Sequence, residues 1–295
     1  MKRARAALAI CAGMLLAAGP AFGEDLNEFI QQGDEPITID ASEGIEWRQD
    51  DQVYVARGNA KAIRGDVSVA ADLLQARYRK GEDDKNQIWQ VEALGNVVIV
   101  SRGDKVYGDK GIYNIDSGVF ELTGKDLRIV GEDQVVTARD KIEYRRNEQI
   151  ARALGNATAT KGDKSLRADS LTAHFGEDPT GKTRLERIEA TGDVIVTTPT
   201  EVAQAKRADY DAVKEFVTLS GDVKLNRGPN QLNGEYAEVD LAKGVSRLLA
   251  RPRGASGGKP VHGLFIPGED GGEASDLGDI LGGPDSKGQK PKTGE

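Results

Sequence analysis

From Pro36 to Ala250 the chain alternates apolar and polar residues with a period of two. Val97 and Ile99, Val194 and Val196, and Val223 and Leu225 take alternate positions on segments that follow a glycine. Leu74, Ala76 and Tyr78, or Ala138, Ile142 and Tyr144, do the same on segments that return. The residues between them are often charged, as Arg139, Lys141, Glu143 and Arg145 are. Side chains of a strand point alternately to its two faces, so the pattern predicts half-buried strands in antiparallel hairpins. No part of the body sustains helical spacing. The reading is an all-β body of about thirteen to sixteen strands.

Glycine punctuates the alternation. Gly58, Gly95, Gly124, Gly155, Gly192 and Gly221 follow similar residues at spacings of 37, 29, 31, 37 and 29. Each of the last three therefore lies 97 residues after one of the first three. At the same offset Leu74-Gln75-Ala76-Arg77-Tyr78 recurs as Leu171-Thr172-Ala173-His174-Phe175, Val91-Glu92-Ala93 as Ile188-Glu189-Ala190, and Tyr113 as Tyr210. A unit of hairpin size repeats, and a block of three units is duplicated. One unit cannot bury a face alone, but stacked units bury a continuous one. The six glycines are read as turns, where a positive φ is needed. The third unit is out of step, with Leu127 and Ile129 one position late, which predicts a one-residue bulge there.

The ends differ from the body. Lys2, Arg3 and Arg5, the apolar stretch Ala6 to Ala18, and Ala21-Phe22-Gly23 read as a cleaved secretory signal over residues 1–23. Cys11, the one cysteine, lies inside it, so the mature chain is expected to hold no disulfide and no thiolate. Residues 24–35 read as a linker. Removing the signal leaves 37 basic against 48 acidic residues, a balance of −11, which argues against nucleic acid as a partner. Residues 251–295 hold 12 glycines and five of the ten prolines and read as a disordered tail. Its apolar spots, Leu264-Phe265-Ile266 and Leu277 to Leu281, are either docking motifs or residual hydrophobes.

Few groups suggest chemistry. The two histidines, His174 and His262, have no neighbour in sequence that suggests a triad or a metal site, so no catalytic residue, cofactor or metal is expected. Paired carboxylates such as Asp50-Asp51 fall in loops, where solvated turn charge is the default. Two Arg-Gly-Asp triplets, at Arg64 and Arg102, sit where the hairpin period puts turns, which explains them without adhesion. With Lys161-Gly162 and Arg227-Gly228 they make four turns that begin on a cation. Arg64, Arg102, Lys161 and Arg227 then stack into a basic edge able to meet phosphate, or are plain solvated turn charge.

Three features together resemble the OstA-like family of lipopolysaccharide transport proteins. They are Pro36-Ile37-Thr38-Ile39-Asp40-Ala41 after the signal, the repeated Gly-Asn or Gly-Asp step, and the Ala-Asp pairs at Ala71-Asp72, Ala168-Asp169 and Ala208-Asp209, read as starts of return strands. The resemblance covers residues 36–250. It implies an open, twisted, V-shaped β-jelly roll built by stacking hairpins, no catalytic residues, and a periplasmic carrier whose inner face holds acyl chains. The lipid would lie against Leu74, Ala76, Tyr78, Val97, Ile99, Tyr113 and Ile115 in the first block. In the second it would meet Leu171, Phe175, Val194, Val196, Tyr210, Val223 and Leu225. The turn cations would meet headgroups. The resemblance further implies pairing with inner- and outer-membrane transport proteins, and head to tail with itself, through edge strands. Ile37 to Ile45 and Tyr236 to Leu241 are the candidate edges. The other reading of the residues is an exported β-repeat scaffold or adhesin that works by protein contacts alone.

Overall fold

The structure, a computed structural model, describes residues 36–266 apart from 82–83, 102, 181–182, 244, 253, 255–257 and 259. The expected signal, linker and residues 267–295, Leu277 to Leu281 among them, lie outside the described residues. All regular structure among the described residues is strand. The first six are β1 (Thr38–Asp40), β2 (Gly44–Arg48), β3 (Val53–Arg64), β4 (Val67–Lys80), β5 (Asn86–Ser101) and β6 (Asp104–Asn114). Then come β7 (Val119–Thr123), β8 (Leu127–Val130), β9 (Gln134–Ala138), β10 (Lys141–Arg145), β11 (Ile150–Lys161) and β12 (Lys164–Glu177). The last are β13 (Thr183–Thr197), β14 (Glu201–Asp211), β15 (Phe216–Arg227), β16 (Asn230–Asp240), β17 (Val245–Leu249) and β18 (His262–Leu264).

The long strands each cross a corner. β3 is paired with β4 up to Arg57 and again from Ala60, with Gly58-Asn59 left over as a bulge. β5, β11, β13 and β15 bulge likewise at Gly95-Asn96, Gly155-Asn156, Gly192-Asp193 and Gly221-Asp222. Both residues of every step have positive φ, for instance 79° at Gly192 and 41° at Asp193. Asparagine and aspartate are the non-glycine residues that tolerate this region best, which explains why the second position is always one of them. Five of the six glycines expected at turns therefore sit mid-strand, Gly124 lies in a bend between two strands, and turns fall at Gly65, Gly103, Gly162 and Gly228. Asp72 and Asp169, read as starts of return strands, lie instead at the middles of β4 and β12, across from the bulges.

Four rows are broken at the corner rather than bulged: β1/β2, β7/β8, β9/β10 and β17/β18. The 18 strands thus form fourteen rows, within the range read from the alternation. At the third unit, β7 and β8 are separated by a three-residue bend at 124–126 where a one-residue bulge was expected, yet Leu127 still points inward at 2 % exposure. The corner divides the molecule into two leaves. One runs from β2 through the first half of β3 to β7, β10 and on to β17; the other runs from β1 through the second half of β3 to β8, β9 and on to β18. The result is a twisted, two-leaf β-jelly roll with the apolar core between the leaves.

The duplication is structural. Strands β3, β4 and β6 become β11, β12 and β14 when both their boundaries move by 97 residues. β10 stands 97 residues after β2, and β9 overlaps the position of β1 so displaced. The blocks meet where β7 pairs with β10 and β8 with β9. There Glu143, with 3 % of its side chain exposed, accepts hydrogen bonds from Lys141 Nζ and Arg145 Nε. Burial pushes its pKa up, but the hydrogen bonds and charges of Lys141 and Arg145 outweigh that and hold it below the usual value. A lowered folded pKa contributes stability that is complete above the ordinary carboxylate pKa and lost as pH falls through the folded one. Glu143→Gln is therefore expected to cost about 2 kcal/mol at pH 7 and to flatten the acid limb of stability below about pH 4, read by urea midpoints across pH.

Two expectations about the ends change. Tyr236 to Leu241 is not an edge: β16 carries β17 along Tyr236 to Asp240 and β18 along Gln231 to Asn233. The segment expected to be tail supplies the β18 strand, because His262-Gly263-Leu264 finds the half of β16 that β17 leaves bare. The N-terminal edge stands as read, since among the described residues β1 and β2 each pair only with β3.

Candidate functional site

The inner faces of the leaves converge on one apolar seam. Along β4 the inward residues are Val69 and Ala71, then Leu74 and Tyr78; along β12 they are Leu166 and Ala168, then Leu171, Ala173 and Phe175. The set jumps by three at Asp72 and at Asp169, because the strand turns its other side inward as it rounds the corner. This slip is visible in the sequence and marks the corner; the reading above missed it.

The seam is not filled evenly. Near β1 and β2 it encloses a cavity of about 120 Å³ with both leaves contributing, including Ile45, Ala56, Leu74, Ala76 and Ala93 from one and Ile39, Ala62, Val69 and Ile99 from the other. At the junction of the blocks a cavity of about 50 Å³ is lined by Phe120, Val136, Ile142, Leu171 and Phe175. Farther on, among Leu166, Ile188, Val196 and Tyr210, about 10 Å³ remains. Alanine stands at 56, 62, 76 and 93 and equally at their counterparts 153, 159, 173 and 190, so the wider space goes with the position of β1 and β2 at the end of the stack.

The expected lipid-facing residues sort accordingly. Leu74, Ala76, Ile99 and Tyr113 line the first cavity, Leu171 and Phe175 the second, and Val196 and Tyr210 the third. Val97, Val194 and Val223 face inward at 1 % exposure or less, packed in the core, and Leu225 is half-buried against it. Ile115 is buried in the turn after β6, where its amide donates to the carbonyl of Trp89. Tyr78 anchors an aromatic group instead: its hydroxyl accepts a hydrogen bond from Trp47 Nε1 at 2.8 Å, and its ring lies 4.9 Å from that of Tyr54. Sequence pattern alone could not find Trp47, which stands on the edge strand β2 with 56 % of its surface exposed.

Arg64, Lys161 and Arg227 do fall on one rim, at turns of the leaf that ends in β1 and β18. Lys161 pairs with Asp133 at 3.0 Å and Arg227 approaches Glu201 at 3.7 Å, so acids share that rim. Arg102 lies outside the described residues. Among the described residues no cluster of histidine, cysteine and carboxylates has the makings of a metal site.

The family model described as LptA/(LptD N-terminal domain) LPS transport protein matches the chain twice, over residues 38–150 and 136–245. The chain belongs to this family. The two matches begin close to the 97-residue offset of the blocks, so each block carries the family pattern. Among solved structures, the chain is similar to LptH, described as the LptA homologous periplasmic component of the conserved lipopolysaccharide transport device from Pseudomonas aeruginosa. The identity is 17 % and the TM-score 0.38, over 46 % of this chain and 96 % of that one. Among curated proteins none matches.

Proposed function

We propose that this chain is a non-enzymatic periplasmic bridge that shields the acyl chains of lipopolysaccharide between its leaves on the way from the inner to the outer membrane. The observation that carries the reading is the apolar seam, which runs through both blocks and opens toward β1 and β2. Each acyl methylene left in water costs about 0.8 kcal/mol, so a lipid with several chains needs such a cover to cross an aqueous space. Membership of a lipopolysaccharide transport family supports the substrate. A cleaved signal over residues 1–23 would deliver the chain to the periplasm.

A cavity of about 120 Å³ is smaller than the roughly 150 Å³ that accommodates benzene, so a lipid enters only as the leaves part. Parting exposes apolar core that the bound acyl chains would have to cover, but it spares the ladders within each leaf. The ladders run along each leaf and stop at the corner, so spreading the leaves bends the bulges and leaves the backbone hydrogen bonds intact. The turn cations Arg64, Lys161 and Arg227, with Arg102, would then meet phosphates at the mouth.

The test is photo-crosslinking in cells. A crosslinking side chain at Ile99 is expected to capture lipopolysaccharide, and one at Val98 or Ile195, on the outer faces, is not. Val196, at the tight end of the seam, is expected to capture less than Ile99. Equal labelling of inner and outer positions would overturn the assignment of faces. Absence of lipid at Ile99 would leave the scaffold reading in its place.

We further propose that the chain associates end to end with copies of itself and with transport partners through its terminal rows, β1/β2 at one end and β17/β18 at the other.

A further inference from the structure

Across the leaf that holds β2, the strand registers align one level of inward residues from row to row. Tyr54 pairs with Ala76, Ala76 with Val91, and Val91 with Tyr113. Tyr113 then pairs with Phe120, Phe120 with Tyr144, and Tyr144 with Ala151. Ala151 pairs with Ala173, Ala173 with Ile188, and Ile188 with Tyr210. Large rings and smaller side chains thus alternate in groups along this level. The first cavity lies over Ala76 and Val91, between Tyr54 and Tyr113; the second lies over Ala151 and Ala173, beyond Tyr144. Neighbouring strands are about 4.7–4.9 Å apart, so the three rings of Tyr113, Phe120 and Tyr144 make a wall roughly 10 Å thick between the two.

Phe120 stands in the middle of that wall. Among the described residues it alone lines both cavities. Its surroundings make it the part of the wall able to move. β7, which carries it, has five residues and ends at the bend 124–126. The neighbouring strand offers Gly111 rather than a side chain, and a Cβ built there would lie 3.7 Å from Phe120 Cε2, in contact with the ring. At the 97-residue offset Phe120 and Gly111 become Val217 and Ala208, so the second block has no ring at this place. We infer that Phe120 divides the seam into two acyl-chain compartments, and that a lipid passes from the first to the second as its ring turns aside. This rests on the lipid-carrier reading above and adds the residue that sets the step between compartments.

A ring laid over a glycine also packs well, so Phe120 has a purely structural alternative. The two roles differ in what they predict. If Phe120 only fills space, any cavity cut into β7 loosens the seam alike. Leu122 supplies the comparison: it is fully buried on the same strand and the same face, yet lines neither cavity. If Phe120 is the partition, passage follows the size of the side chain at position 120 and is indifferent to Leu122.

The experiment times a lipid on its way past the ring. A photo-crosslinking phenylalanine derivative replaces Ile99, which lines the first cavity, or Phe175, which lines the second. Lipopolysaccharide is added to the purified exported chain, and light flashes at increasing times record capture at each position. Capture at 175 is expected to lag behind capture at 99. Phe120→Leu is expected to shorten the lag about three-fold and Phe120→Trp to lengthen it about three-fold, while Leu122→Ala leaves it unchanged. If Phe120→Trp does not fold by circular dichroism, the lags of Phe120→Leu and Phe120→Ala decide. A lag that is absent, that ignores the size of residue 120, or that shortens as much in Leu122→Ala overturns the partition and leaves the carrier reading standing. Capture at 99 but never at 175, in every variant, overturns the second compartment. Capture at neither position overturns the carrier reading itself.

Discussion

Replacing Gly192 by valine is expected to lower the thermal unfolding midpoint by roughly 6–12 °C, while the same change at Gly162 lowers it by only a few degrees. Both glycines have positive φ, 79° and 57°. A side chain there costs about 1–2 kcal/mol at either site, more for a β-branched residue. The surroundings differ. Nothing lies within 4 Å of a Cβ built on Gly162, whereas one on Gly192 would come to 2.1 Å from Asp169 Oδ2. The exposed carboxylate can swing away, but the Asp169 Cβ, 2.8 Å from that position, is fixed by its strand opposite the bulge. The combined cost at Gly192 is about 3 kcal/mol. Equal shifts for the two variants would mean that the corner is loose and the bulges are spacers. A Gly192 variant that keeps its midpoint but fails to take up lipid would instead make the corner a moving part.

Val239→Pro is expected to unfold the C-terminal end, and Ile39→Pro to leave the fold nearly intact. Val239 is 6 % exposed and has a ladder on both sides, opposite Val217 on β15 and Ser246 on β17. Proline there removes a donor and drives its ring into a neighbouring strand, at a cost of about 3 kcal/mol or more. Among the described residues Ile39 pairs only with Ala62 and has no strand on its other side. Hydrogen exchange distinguishes the two: the Val239 variant loses protection through β15, β16 and β17, and the Ile39 variant loses it only in β1 and the adjoining end of β3. Protection of β16 in the Val239 variant would show that β17 is not an integral row.

These outcomes bear on what the sequence could tell. Alternation located the inner residues well: Val97, Ile99, Leu171, Val194 and Val223 all face the seam, because one buried side requires it of every strand. The Gly-Asn and Gly-Asp steps were misread as turns because a hairpin turn and a bulge need the same positive φ, and Gly-Asn is a familiar turn signal. What separates them is the partner strand, where Asp72 or Asp169 faces the step, and pairing across a fold is not written in local sequence. β18 was missed for a related reason. His262-Gly263-Leu264 lies among glycines and prolines and has no periodicity of its own; it is a strand because β17 stops half-way along β16. The cavity near β1 was not legible, because the alanines that line it recur 97 residues later where the seam is tight.

The 97-residue duplication changes how a column of such chains would behave on dilution. In a column joined end to end as proposed, every second joint is the one between β7/β8 and β9/β10, and its halves share a covalent chain. That joint faces an effective concentration set by a short connection, and lowering the protein concentration does not open it. Only the joints between chains can dissociate. If each such joint is closed with some probability independently of the others, an unbroken column of given length requires half as many closures as one built from single blocks. Its chance of being continuous is then the square root of the single-block value, without any one contact being stronger.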